Sequence, residues 1–460
     1  MPDSCTAKLD LIQVAHHDAY GLTGDGRSME WGLLGGERLG GTRRVRTLGL
    51  GATIRFFNER AVPGLGGVWF GRQVILALLG IHLAETLRRE GRGPTNIAAA
   101  NAVEALAVWL TLSHNRWTRD ARLPGYLKLQ QHTRRENLTF RHAGSRAFYV
   151  SQPMRIGTRD ALPMLGLVSA PSRRFNSYAP TERGLALLEA ACPRVRAPLQ
   201  LWAGGGSLPV RHRALVEELD PTRPLPNRAR EILREAFLSG PEAERGRRRE
   251  ALAFVEGLRA RPGGHTAWDA RPPEISDPAH WADMRAGAAL AGVMEAAAGE
   301  GPGGSVLGRI EARMGGAGLR RLALGDAVDA PLVPALDLLR VRAQAFLATG
   351  HDPSPGRAAT RFCTDCIEAE AASLIGRLVA RDGRILRLID GVILAGSAFR
   401  GRPLRDPDPD DAADAIEDEL PEEAPEDTVP PLPEDISRRI HNLAVLAPDL
   451  RAAPSDAGGA

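Results

Sequence analysis

Apolar residues recur at helical spacing along most of this chain. In Trp69 to Arg89, the residues Phe70, Val74, Leu78, Ile81 and Leu87 fall near one face and predict a helix. Gly91-Arg92-Gly93-Pro94 ends it, and Thr95 or Asn96 is placed to cap the next one. That next segment, Ile97 to Ser113, is apolar on most sides and predicts a buried helix. Val45 to Phe57 reads as a short strand or the start of a helix. A short helical stretch follows Pro124-Gly125, from about Tyr126 to Arg134. Helical spacing returns at 227–238, 242–260, 278–298, 305–313 and 333–348. It continues from Ala358 to Arg381 and from Ile385 to Ala398, and a short terminal helix is expected from Ile436 to Leu446. Residues 1–68 are Gly-rich with little periodicity, and 193–224 are Pro-rich and read as a linker or irregular packing.

Residues 138–192 have a pattern of their own. One helix ends near Ala147, and a second is expected between Ser151 and Leu165, with Pro163 disturbing its last turn. Gly166-Leu167-Val168-Ser169 reads as a short strand, Ala170 to Arg174 as a turn, and Phe175 to Ala179 as the return strand. Pro180-Thr181-Glu182 then opens a helix containing Leu185, Leu187 and Leu188. A lone two-stranded hairpin is marginal in water, so Leu165, Leu167, Val168, Leu185 and Leu188 are expected to form a core shared with the flanking helices.

This order of parts resembles the wing of winged helix-turn-helix proteins, in particular the MarR-type wing followed by a Thr-x-x-Gly-x-x-Leu-Leu helix, here Thr181, Gly184, Leu187 and Leu188. The resemblance covers residues 134–192 of the 460. It implies that Ser151, Gln152, Arg155 and Arg159 face a major groove from a recognition helix. It also implies that Arg173 and Arg174, at the hairpin tip, reach phosphates or a minor groove. Pro153 and Pro163 depart from the regular recognition helix of the family.

Charge sharpens this picture. The formal net charge is only +3, but residues 406–435 hold 14 acidic residues and no Lys or Arg. Without that segment, 59 basic residues face 42 acidic ones, a net charge of +17. All the basic residues except Lys8 and Lys128 are arginines, whose planar fork suits phosphates and base edges. The acidic, Pro-rich stretch 402–435 is expected to be disordered. It reads as a solubilising linker, a docking segment for a basic partner, or an internal competitor for nucleic acid.

Other chemistry is sparse. Cys363 and Cys366 form a C-x2-C pair with His351 upstream, but no second pair completes a four-ligand zinc site. They are weak metal candidates, and no cofactor is expected. Gly32 to Gly41 lacks the Gly-Lys-Ser/Thr of a phosphate loop. Gly64-Leu65-Gly66-Gly67 reads as a flexible loop closing onto a helix. His16-His17-Asp18 and Asp25 read as solvated, and Arg247-Arg248-Arg249 as a solvated helix face. No catalytic constellation is found. Met1 to Asp10 has no apolar signal core, Val74 to Ala84 is far short of the roughly 20 apolar residues a membrane span needs, and few cysteines fit a reducing cytoplasm.

The expectation is a mainly α-helical cytoplasmic protein. Its parts are a helical region at 1–133, a winged helix at 134–192, a linker at 193–224, a helical domain at 225–401, the acidic linker at 402–435 and a terminal helix and tail at 436–460. The expected partner is nucleic acid, duplex DNA first, bound as a regulator or as a subunit of a larger DNA-acting bacterial complex with protein partners; a defence setting suits it. The alternative is a helical scaffold whose winged helix contacts protein.

Overall fold

A computed structural model describes residues 46–91, 93–131, 138–145, 148–150, 152–206, 213–260, 270–299, 304–399 and 437–451. The described chain is mainly helical. In order, its helices are α1 (Gly51–Ala61), α2 (Gly71–Arg89), α3 (Asn96–His114), α4 (Tyr126–Gln130), α5 (Phe140–Ala143), α6 (Arg155–Thr158), α7 (Ala161–Met164), α8 (Glu182–Ala191) and α9 (Arg196–Ala203). There follow α10 (Arg213–Leu219), α11 (Asn227–Phe237), α12 (Glu242–Ala260), α13 (Pro278–Ala298), α14 (Val306–Gly316), α15 (Val333–Ala348), α16 (Ala358–Glu368), α17 (Ala371–Asp382) and α18 (Arg438–Leu446). Residues 1–45, which include Cys5, His16, His17, Asp18, Asp25 and Gly32 to Gly41, lie outside the described residues, as do Ser151 and the acidic stretch 402–435.

Two hydrophobic cores organise the helices. The first draws on residues from Ala61 to Met284 and on Ile440 to Leu450. Its centre is the pair α2 and α3. Gly80 lets them touch, because a Cβ there would lie 2.3 Å from the Ala100 Cα. Helix α3 starts where Thr95 Oγ1 accepts the Ala98 amide at 3.1 Å. It is apolar enough to cross a membrane by length and composition, yet it is mostly buried inside protein. The second core joins Leu48, Leu50 and Phe57 to residues from Ala286 to Ile393. Helices α1 and α13 feed both cores, through Ala61 and Phe57 and through Met284 and Leu290. Each large aliphatic or aromatic side chain removed from water contributes about 1.5–3 kcal/mol.

Three sequence expectations change here. The stretch from Ile385 to Ala398 is a hairpin, not a helix: β4 (Leu386–Ile389) and β5 (Val392–Ala395) pair antiparallel, and β3 (Arg321–Ala323) pairs with β5 on its other side. Asp390-Gly391 makes the turn with φ of 48° and 72°, the left-handed pair a two-residue hairpin needs. Residues 193–224 are not merely a linker. They hold α9 and α10, and Leu199, Trp202, Leu215 and Leu219 enter the first core. Pro198 is tolerated because it falls in the first turn of α9, where no amide donor is needed. Finally, Arg248 is not on a solvated face. Its side chain is 0% exposed, and it donates to the carbonyls of Phe237 (2.6 Å), Pro63 (3.2 Å) and Ser239.

Beside it, Arg247 donates to the Arg60 carbonyl at 2.8 Å and to Asp283 Oδ2 at 2.7 Å. Asp283 also pairs with Arg60 at 2.8 Å and accepts from His351 Nε2 at 2.8 Å. His351 therefore turns to α13 rather than to the two cysteines. Cys363 and Cys366 are buried on α16 in the second core, and burial pushes the Cys366 thiol up to about 12. Among the described residues no group of three or more His, Cys, Asp or Glu side chains is placed to hold a metal ion.

Candidate nucleic-acid interface

The candidate surface is built on residues 152–191. Helix α6 is seated on the loop before α2 by glycines. The Gly67 amide donates to the Gly157 carbonyl at 2.8 Å, and a Cβ on Gly157 would lie 2.9 Å from the Gly67 carbonyl oxygen. Gly64 to Gly67 thus form a tight seat rather than a flexible loop.

The single helix expected from Ser151 to Leu165 is broken into α6 and α7 at Arg159-Asp160. Pro163 has no amide to offer the carbonyl four residues back. That carbonyl, on Arg159, instead accepts the Tyr178 hydroxyl at 3.1 Å. Burial pushes the Tyr178 phenol above its ordinary pKa.

The hairpin also differs in detail. Strand β1 (Val168–Ser169) pairs antiparallel with β2 (Ala179–Pro180), while Phe175–Ser177 forms a 3-10 turn instead of the return strand. Phe175 is buried and Tyr178 with it. The Asn96 side chain holds this turn from α3, donating to the carbonyls of Phe175 (2.9 Å) and Tyr178 (2.8 Å). Asn176 Oδ1 answers by accepting the Ile97 amide at 3.0 Å.

The opening of α8 has a physical reason at each conspicuous position. Thr181 Oγ1 accepts the Gly184 amide at 3.1 Å and donates to the Gly166 carbonyl at 2.7 Å. Gly184 is required because a Cβ there would sit 2.2 Å from the Leu167 carbonyl oxygen.

The predicted site residues separate into two sets. Arg155 is half-buried and tied inward: its Nε donates to Asn101 Oδ1 at 2.6 Å, and its guanidinium lies 5.7 Å from the Phe175 ring centroid. Gln152 is half-buried. Arg159, Arg173 and Arg174 are exposed. Arg173 approaches Asp160 at 3.8 Å with 88% of its side chain exposed, a pairing of little energetic weight in water. That contact brings the hairpin tip beside the break between α6 and α7, so Arg159 and Arg173 share one surface.

Sequence reasoning missed the roles of Asn96, which it offered only as a cap, and of Asn101 and Glu104. They are polar positions in an otherwise apolar helix, which is the signal that would have found them. Glu104 lies under α6, where it accepts the amides of Met154 (2.7 Å) and Arg155 (3.3 Å). Burial pushes its carboxyl up to about 7, against the pull of those hydrogen bonds.

Chemically, three solvent-facing guanidiniums over a rigid base can pair with anionic oxygens, and each fork can do so bidentately. No protein-family model, curated protein or solved structure matches the chain.

Proposed function

We propose that the chain binds duplex DNA without catalysis, through residues 152–191 acting as a winged helix, as a regulator or as a subunit of a larger DNA-acting complex. The observation that carries this reading is the exposure of Arg159, Arg173 and Arg174 together on a segment held from below by Asn96, Asn101 and Glu104. Arg155 belongs to the base of the segment, so base reading falls to Arg159 and Gln152, and backbone contact to Arg173 and Arg174.

The test is duplex binding at about 50 mM and about 200 mM salt. Arg173→Ala/Arg174→Ala weakens binding to all sequences alike and lowers the salt slope by about 2, since each phosphate contact contributes about 0.9. Arg159→Ala relaxes sequence preference. No binding by the native chain at the lower salt would sink the DNA reading and leave a protein-contacting scaffold.

A further inference from the structure

The outer face of the three-stranded sheet has no role in the fold or in the proposed DNA contact. Cross-strand partners in an antiparallel sheet share a face. Arg321 pairs with Leu394, and Leu394 with Arg387, so each edge strand carries a guanidinium with a leucine between them. The next row is Ala323, Val392 and Ile389. The opposite face sends Leu322 and Ile393 into the second core. Strands lie about 4.8 Å apart, which sets the two arginine positions about 10 Å from each other. Both arginines are exposed, and among the described residues neither has a carboxylate partner. Ile389 is 42% exposed. The face is therefore aliphatic in the middle and cationic at both edges.

We propose that this face docks the chain's own acidic segment, residues 406–435. The 14 acidic residues there have no Lys or Arg among them, so the segment supplies the charge that the described surroundings of Arg321 and Arg387 do not. The segment also matches the aliphatic centre, because Ile416 and Leu420 lie among Asp414, Glu417, Asp418 and Glu419. Connectivity favours docking within one chain. The backbone leaves the sheet at the end of β5, and Phe399 packs against the second core with the Arg320 guanidinium 5.8 Å from its ring centroid. Asp406 follows seven residues later, and seven extended residues span up to about 24 Å. That reach exceeds the width of the face. A short tether gives an effective concentration in the millimolar range, so weak ionic contacts suffice. Those contacts are screened at high salt, where the Debye length falls to about 3 Å at 1 M.

The chain has only two lysines, Lys8 and Lys128, so an added amine is a near-unique reporter. Arg321→Lys and Arg387→Lys keep the charge and supply an amine that a water-soluble carbodiimide joins to a touching carboxylate. Gln344→Lys, on the exposed side of α15, is the control. In the full chain, peptide mapping is expected to find the amines of the two sheet variants coupled to carboxylates of 406–435. The yield should be about tenfold or more above the control, which shares the tether but not the docking face, independent of protein concentration and lost at about 1 M salt. Coupling at the control level overturns the proposal, as does coupling that appears only between chains. Control-level coupling together with lost DNA affinity in Arg321→Ala/Arg387→Ala would also overturn it and assign the face to nucleic acid.

Discussion

Two stretches of this chain cluster arginines and put them to opposite uses. In α12, Arg247 and Arg248 turn inward and become part of the junction between the cores. Around the hairpin, Arg159, Arg173 and Arg174 stay in water. The difference lies in the supply of acceptors. Helix α11 ends at Phe237, and the last carbonyls of a helix have no amide partner; Arg248 takes the Phe237 and Ser239 carbonyls. At the hairpin tip the Ser177 amide donates to the Arg174 carbonyl at 2.8 Å, and the Ser177 hydroxyl has the carbonyls of Arg174 (2.7 Å) and Ser172 (3.2 Å) within reach of its single hydrogen. These acceptors are met from within the turn, and among the described residues neither the Arg173 nor the Arg174 guanidinium reaches a backbone carbonyl, so both stay in solvent. Arginine clusters are thus sorted by the acceptors around them, not by their local charge.

The largest expected effect tests the inward half of that contrast. Arg248→Ala removes the donor from two buried carbonyls and a half-buried one and should destabilise the protein by about 3 kcal/mol or more. Arg248→Lys should rescue little, since an ammonium lacks the fork that reaches all three. Thermal or denaturant unfolding measures both, and a variant as stable as the native chain would break the comparison. Asp283→Asn should cost about 2 kcal/mol at neutral pH. Burial alone would raise the pKa of Asp283, but hydrogen bonds from Arg60, His351 and Arg247 outweigh it and hold the carboxyl below its ordinary value. A depressed acid gives stability that is present above the unfolded pKa and lost as pH falls through the folded one. The gap between native and Asp283→Asn should therefore be constant at neutral pH and shrink below about pH 4.

The contrast also marks how far the sequence could be read. The sequence predicts α13 and α15 with the bounds they have in the structure, because their ends are marked locally: Asp277 and Pro278 open α13, Gly299 follows it, and Pro334 opens α15. The β4–β5 hairpin reads as helix in the sequence, since an apolar run of that length fits either element until Asp390-Gly391 is weighed as a turn. Of the candidate surface, Thr181, Gly184 and the tip arginines are legible, for their roles depend on neighbours in sequence. The inward turn of Arg155 is not, because its partners Asn101 and Phe175 are brought to it only by packing. The break at Arg159 is half legible: Pro163 announces it, while Tyr178, which satisfies the freed carbonyl, is 15 residues further along the chain.

The smallest expected effect distinguishes the two regions by pH. Glu104 under the hairpin segment is raised from its ordinary 4.5 to about 7 by burial. An acid with a raised folded pKa holds its proton in the fold where the unfolded chain has released it. Stability therefore rises as pH falls through about 7 and levels off below about 4.5. From pH 8 to pH 6 the gain should be on the order of 1 kcal/mol. Glu104→Gln is neutral throughout, so it should lose this carboxyl's share of the slope relative to the native chain, with its carbonyl oxygen still placed to accept the Met154 amide. Melting curves from pH 5 to pH 8 compare the two, and equal slopes would sink the assignment. At the α12 junction the Asp283 carboxyl is held below its ordinary pKa, so its own titration adds slope only in acid. The segment that presents arginines to solvent then rests on a carboxyl that titrates near neutrality, while the carboxyl that holds the inward arginines titrates in acid.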